Sequence, residues 1–295
     1  MEAVSSEVKE YSAIWMQAAT CTGCSVSVLN SQAPSIKNVL LDEILPGRHI
    51  NLRFQATIMA GQGNPVLRVL EETMAEKSGQ YLLVIEGAIP GYGFGSLGEA
   101  PMRDRAARLA RHALAVVALG TCASYGGIAA AVPNPSKAVS VRELLKKEGI
   151  TTPLVNIPGC PPHPDWLVGT IACILLYGLP GPESLDDFGR PLLFYRQLIH
   201  EHCPRRAAFN EGKFAKKPGD PGCLYELGCK GPITYADCPT RMWNGGVNWC
   251  VGSGAPCNGC TQPEFPDLIG PLYEKVTDID IPVIGAYWRE RGGGR

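Results

Sequence analysis

The chain repeats one device: an apolar run of strand length stops at a turn, and a cysteine follows within a few residues. Cys21 and Cys24 follow the run Ser12–Ala19, Cys122 follows Leu114–Leu119 across Gly120, and Cys160 follows Leu154–Ile157 across Pro158 and Gly159. Continuous apolar strands of this kind belong to a parallel sheet covered on both faces. In open α/β sheets the ligand site lies beyond the carboxyl ends of the strands. Three strands therefore deliver four thiols to one edge of one sheet. Glycines at 23, 120 and 159 let the backbone come close to a bulky group there. Four convergent thiolates suit zinc or a [4Fe–4S] cluster. A thioredoxin-type pair would account for Cys21 and Cys24 but leave Cys122 and Cys160 without a role.

The intervening sequence predicts the helices that such a sheet needs. Val39–Leu45 reads as a second strand and Tyr81–Ile85 as another, ending at Glu86-Gly87. Gly63–Lys77 has apolar residues near the 3.6-residue period and Pro65 at its start, and Met102–His112 reads as a charged, solvated helix. Val141–Lys147 is closed by Gly149, and the apolar helix Trp166–Tyr177 by Gly178. Alternation of this kind predicts a doubly wound α/β domain over residues 1–180. After Pro180 the texture changes. Residues 181–295 are rich in Gly, Pro and Cys, with one short helix expected around Leu192–Cys203. Such a segment buries too little apolar surface to fold unaided, and bound metal would supply the missing stabilisation.

Composition excludes several function classes. Lys+Arg total 27 against 28 Asp+Glu, so there is no strongly basic surface to hold nucleic acid. Met1–Glu10 has no apolar leader segment and no Arg-Arg pair. The weakly charged stretches are broken by Gly and Pro (113–136) or too short (166–182) to span a bilayer, which predicts no transmembrane segment. The absence of a leader makes the cytoplasm the expectation, and the periplasm the alternative if a leader was removed. The 12 cysteines would match six disulfides by count, but their strand-end placement argues against that reading.

The C-terminal segment carries His200-x-x-Cys203, Cys223, Cys229, Cys238, Cys250 and Cys257-x-x-Cys260. Cys173, inside the apolar stretch IACILLYG, is expected to be an inert core residue. The other eleven cysteines and His200 make twelve donors, or three sets of four.

The segments CTGCS (21–25), VIEGAIP (84–90), GTCASYGG (120–127), PGCPPHPDW (158–166), IHEHCP (199–204), ELGCKGPITYADC (226–238), NWC (248–250) and CNGC (257–260) together resemble the small subunit of nickel–iron hydrogenases, most closely its nickel–iron–selenium branch. The resemblance runs in order over about residues 12–268. It implies a flavodoxin-like domain followed by an irregular, cysteine-rich cluster-binding domain (181–295), and an electron wire of three [4Fe–4S] clusters. Carried over by position, Cys21, Cys24, Cys122 and Cys160 would hold the proximal cluster. His200, Cys203, Cys223 and Cys229 would hold the distal one, and Cys238, Cys250, Cys257 and Cys260 the medial one. It also implies a separate large subunit bearing the nickel–iron site, and an external carrier such as a cytochrome or ferredoxin. No thiolate set remains in this chain for nickel.

Many members of that family have proline where Cys250 stands, and a [3Fe–4S] medial cluster. A fourth thiolate here implies [4Fe–4S] and a lower medial potential; without Cys250 as a ligand the cluster would be [3Fe–4S]. Oxygen-tolerant members carry extra cysteines where this chain has Gly23 and Gly127, so that form of tolerance is not expected. His163 reads as orienting the Cys160 loop or donating to a sulfur. Glu86 reads either as a proton relay or partner contact or as a structural carboxylate. Trp243 and Trp249 are expected to shield clusters from water. Two rival readings stand beside this one: a zinc-stabilised binding or scaffold protein, and an iron–sulfur subunit of another redox complex such as the quinone-reducing respiratory subunit. The second needs only the four strand-end cysteines.

Overall fold

The structure, a computed structural model, describes residues 8–40, 42–269 and 273–275. Met1–Glu7, part of the stretch read for a leader, lie outside them. The chain divides into two compact units, Met1–Phe194 with Thr261–Pro263, and Tyr195–Cys260 with Glu264–Arg295.

In the first unit the strands are β1 (Lys9–Gln17), β2 (Arg48–Gln55), β3 (Tyr81–Glu86), β6 (Ala115–Leu119) and β7 (Leu154–Ile157), with a small antiparallel ladder of β4 (Ser96–Leu97) and β5 (Ala100–Pro101). The five form one parallel sheet in the order β2-β1-β3-β6-β7. This is the flavodoxin-like doubly wound order, whose winding reverses between β1 and β3. Every residue of β3 and β6 is buried, so their apolar runs are continuous rather than alternating. The helices are α1 (Gly23–Leu29), α2 (Ile36–Leu40), α3 (Asn64–Glu76), α4 (Met102–His112), the short α5 (Thr121–Tyr125) and α6 (Gly127–Ala130), α7 (Val141–Lys147) and α8 (Pro164–Tyr177). Leu70 and Met74 of α3, Ala106 and Leu109 of α4, and Val141 and Leu144 of α7 join Ile14, Leu83 and Val116 in one core. A capping box between Ser140 and Glu143 starts α7.

Two local expectations give way to other structure. The stretch 39–45 is not a strand among the described residues; it holds the end of α2, bends at 42 and 44 and a single bridge from Leu45 to Arg48, with Leu41 outside the described residues. Ser35 and Asn38 hydrogen-bond each other locally and start a helical turn at Ile36. The second strand is Arg48–Gln55 instead, where apolar Ile50, Leu52 and Phe54 alternate with polar residues, as befits a sheet edge. The helix expected around Leu192–Cys203 is two single turns, α9 (Leu192–Tyr195) and α10 (Ile199–His202). Between them Leu198 bridges Tyr235, and Gln197 accepts the Ala236 amide, so that backbone is committed to extended pairing.

The second unit also contains α11 (Arg206–Asn210) and α12 (Cys238–Arg241) and two 3-10 turns, with isolated bridges in place of a sheet among its described residues. One of its apolar clusters is small, built from Ile233, Phe265 and Ile269 against Cys260. No described helix is long and apolar enough to cross a membrane.

Candidate functional site

Strand register sets the first group of thiols. Gln17 of β1 lies opposite Glu86 of β3, Glu86 opposite Leu119 of β6, and Leu119 opposite Ile157 of β7. Four strands thus end level, and Cys21, Cys122 and Cys160 follow within three or four residues. Cys24 sits in the first turn of α1. The four feel one another's charge: Cys24 is influenced by Cys122, Cys21 and Cys160, and Cys160 by Cys122 and Cys21.

The backbone around them is pared to glycine. Gly120 has φ +87°, and a Cβ there would stand 2.5 Å from Cys24 Sγ. A Cβ on Gly127 would meet Cys122 Sγ at 3.0 Å, and one on Gly23 would meet Cys21 Sγ at 3.2 Å. A side chain at any of the three would occupy space that the sulfurs border.

Beneath this edge lies Glu86, fully buried. Its carboxylate accepts from Trp15 Nε1 (3.0 Å), Ser25 Oγ (2.5 Å), the Ser25 amide (3.2 Å), Thr20 Oγ1 (3.1 Å) and Gln17 Nε2 (3.4 Å). Five donors make it a structural brace between β1, the Cys21–Cys24 loop and β3. His163 has a comparable role. Its Nδ1 accepts the Asp165 amide at 3.1 Å and caps α8, directly after the loop that carries Cys160.

The second unit brings together the remaining candidates. Cys229 is influenced by Cys203 and Cys223, and its sulfur lies 3.5 Å from where a Cβ on Gly231 would stand. That same position is 3.9 Å from the His200 backbone nitrogen. The His200 ring is buried, edge-on to Phe209 at 4.6 Å between centroids. Cys238 is influenced by Cys260 and Cys250, and Cys257 by Cys229, Cys260 and Cys238. Trp249 is buried beside Cys250, and Trp243 is half-buried. Among the described residues no three Cys, His, Asp or Glu side chains close on the position of a single ion.

Desolvation is the leading cause for each of the thiols that is shifted, Cys160 and Cys250 included although they lie exposed. It pushes the Cys160 and Cys229 thiols up to about 11, and raises Cys24, Cys122, Cys203, Cys223, Cys238, Cys250 and Cys257 as well. For Cys24, Glu86 is the next cause after burial. His200 moves down, from burial and then from Arg206, which favours the neutral imidazole that a metal requires. A donor set rich in thiols and poor in carboxylates is soft, and suits iron–sulfur groups or zinc.

A curated relative decides the family. The small subunit of the periplasmic [NiFeSe] hydrogenase of Desulfomicrobium baculatum is 44% identical over 291 residues, covering 92% of this chain and 90% of its own. This chain belongs to the nickel–iron and nickel–iron–selenium hydrogenase small-subunit family. The small subunit of the periplasmic [NiFe] hydrogenase of Solidesulfovibrio fructosivorans is 41% identical, with 90% and 82% covered. A solved structure of the reduced, active Ni-Fe-Se hydrogenase of D. baculatum superposes with a TM-score of 0.85 at 44% identity, covering 91% of this chain and 100% of that chain. Residues 195–273 match the family model for the C-terminal part of the NiFe/NiFeSe hydrogenase small subunit, and residues 21–174 match that of the NADH ubiquinone oxidoreductase 20 Kd subunit. The respiratory-type match takes in the four strand-end cysteines, whereas the hydrogenase match takes in His200 and all seven C-terminal cysteines.

Sequence reasoning misplaced or overlooked three residues. Cys173 is half-buried rather than core, and lines a cavity of about 500 Å³ with Thr170, Ile174 and Tyr177 of the same helix. Arg103, expected on a solvated face of α4, is buried, and Arg105 and Arg108 both pair with Glu71 of α3. Lys230 is buried immediately after Cys229, and its position beside a donor cysteine was the available signal.

Because burial raises the thiols, protons compete strongly with any bound metal, and each thiolate released is protonated at once at neutral pH. Iron loss to a chelator should therefore be faster at pH 6 than at pH 8.5. The bleaching rate of visible absorbance under anaerobic conditions checks this.

Proposed function

We propose that this chain carries electrons between a hydrogenase large subunit, where hydrogen is split or formed, and an external redox protein such as a cytochrome or ferredoxin. Three [4Fe–4S] clusters are its cofactors in this reading. Cys21, Cys24, Cys122 and Cys160 would hold the proximal cluster, His200, Cys203, Cys223 and Cys229 the distal one, and Cys238, Cys250, Cys257 and Cys260 the medial one. Bound clusters would supply one-electron levels, so that the two electrons of hydrogen are handled singly. The observation that carries the reading is the level ending of β1, β3, β6 and β7, which gathers four thiols from separate segments on one sheet edge.

The chain's own residues supply holding, shape and dryness. Gly23, Gly120 and Gly127 leave the sulfur-bordered space open, and glycine at 23 and 127 leaves no extra thiol there for an oxygen-tolerant proximal site. Glu86 ties the Cys21–Cys24 loop to the sheet, which limits movement of two ligands. His200, Phe209, Phe214 and Tyr225 make a chain of edge-to-face and tilted ring contacts that keeps water from one side of the distal donors.

Large-subunit docking is supported by the apolar residues that follow the strand ends. Ile58 after β2, Tyr92 and Phe94 after β3, and Ile128 and Val132 after β6 are all exposed, Val132 to 81%. Exposed apolar residues in the segments that follow these strands fit a partner surface better than a free one.

Two substitutions test the assignment. Cys21→Ala should abolish hydrogen-dependent dye reduction in an intact heterodimer, and normal rates would contradict the proximal role. Cys250→Pro should convert the medial cluster to [3Fe–4S], seen as a new EPR signal in the oxidised protein with a raised potential. Its absence with iron retained would contradict the medial assignment.

A further inference from the structure

Lys230 is 1% exposed, a rare state for a lysine. It follows Cys229 directly, and its amide donates to the Cys257 carbonyl at 2.7 Å. The Cys257 amide in turn donates to Cys229 Sγ at 3.3 Å. One short hydrogen-bonded link therefore joins a candidate distal ligand to a candidate medial ligand, and the lysine grows out of that link. The side chain is packed in place: a Cβ on Gly259, inside the Cys257–Cys260 loop, would lie 3.3 Å from Lys230 Cβ, and Thr234 Oγ1 donates to the Lys230 carbonyl at 2.6 Å. Its ammonium donates to the Glu274 carbonyl at 2.5 Å; burial pushes its pKa down, and Cys229, Glu274 and Cys257 in their charged forms oppose that.

We propose that Lys230 is the fixed counter-charge for both cluster sites of the second unit, holding the medial and distal reduction potentials above the values that their ligands alone would set. The inference rests on the cluster reading above. Reduction adds negative charge to a site already rich in thiolate. A cation held nearby in a medium of low dielectric favours the more negative state, and so raises the potential. Burying an ammonium is costly, so an apolar side chain would serve a purely packing role at least as well. Because one cation faces ligands of both sets, it shifts the two potentials in the same direction.

The test is an EPR-monitored redox titration of the purified heterodimer with wild-type, Lys230→Met and Lys230→Arg chains. Methionine keeps the length and apolar stem of lysine, and replacing a buried charge by an apolar side chain is often neutral for folding. Lys230→Met should shift both the medial and the distal potential to more negative values with iron content unchanged, and Lys230→Arg should restore them. Unmoved potentials in Lys230→Met would overturn the proposal. So would failure of Lys230→Met to assemble the clusters, because a counter-charge alters potentials and not ligation. Absence of clusters from the wild-type protein would instead defeat the cluster reading itself, which keeps the two failures apart.

Discussion

Backbone registry between parallel strands is the constraint on which the rest depends. The hydrogen-bonded ladders from β1 through β3 and β6 to β7 leave Gln17, Glu86, Leu119 and Ile157 side by side. Shifting one strand by a single residue would turn its side chains to the opposite face of the sheet. It would also move the attached cysteine out of line with the others. Complete burial of β3 and β6 makes such slippage expensive, so the apolar core holds the donor geometry. Glu86 adds a second tie from beneath, through its bonds to Thr20 and Ser25.

Those central strands were legible because burial on both faces writes itself as an unbroken apolar run. The edge strand β2 was not, because half-buried His49, Asn51 and Arg53 interleave with its apolar Ile50, Leu52 and Phe54. The competing stretch 39–45 is more apolar, but side-chain bonding between Ser35 and Asn38 turns the chain into helix first. The convergence of Cys21, Cys24, Cys122 and Cys160 on one sheet edge could be read from sequence, because each follows an apolar run of strand length. Supporting residues could not: the cap that His163 places on α8, the half-exposure of Cys173 and the burial of Lys230 arise from tertiary contacts with no local pattern.

The second unit shows the same physics at its limit. Its described apolar groups are small, one of Ile233, Phe265 and Ile269 and one of the rings Phe209, Phe214 and Tyr225, and much of its backbone is irregular. It buries Cys223 and Cys257 and half-buries Cys203, Cys229, Cys238 and Cys260, and desolvation raises the Cys229, Cys238 and Cys257 thiols well above their ordinary range. A protonated thiol there packs as a weak apolar group, while a metal-bound thiolate adds covalent cross-links between distant segments. In this account the clusters act as structural members as well as electron carriers.

The central claim is that twelve side chains hold three four-iron clusters. Iron, zinc and acid-labile sulfide should be quantified in the anaerobically purified heterodimer, and Mössbauer spectra recorded on the same sample. The account predicts a brown protein with about twelve irons beyond that of the large subunit, matched by sulfide, in three [4Fe–4S] environments. A colourless protein loaded with zinc, or one with about four irons for the strand-end cysteines alone, would contradict it.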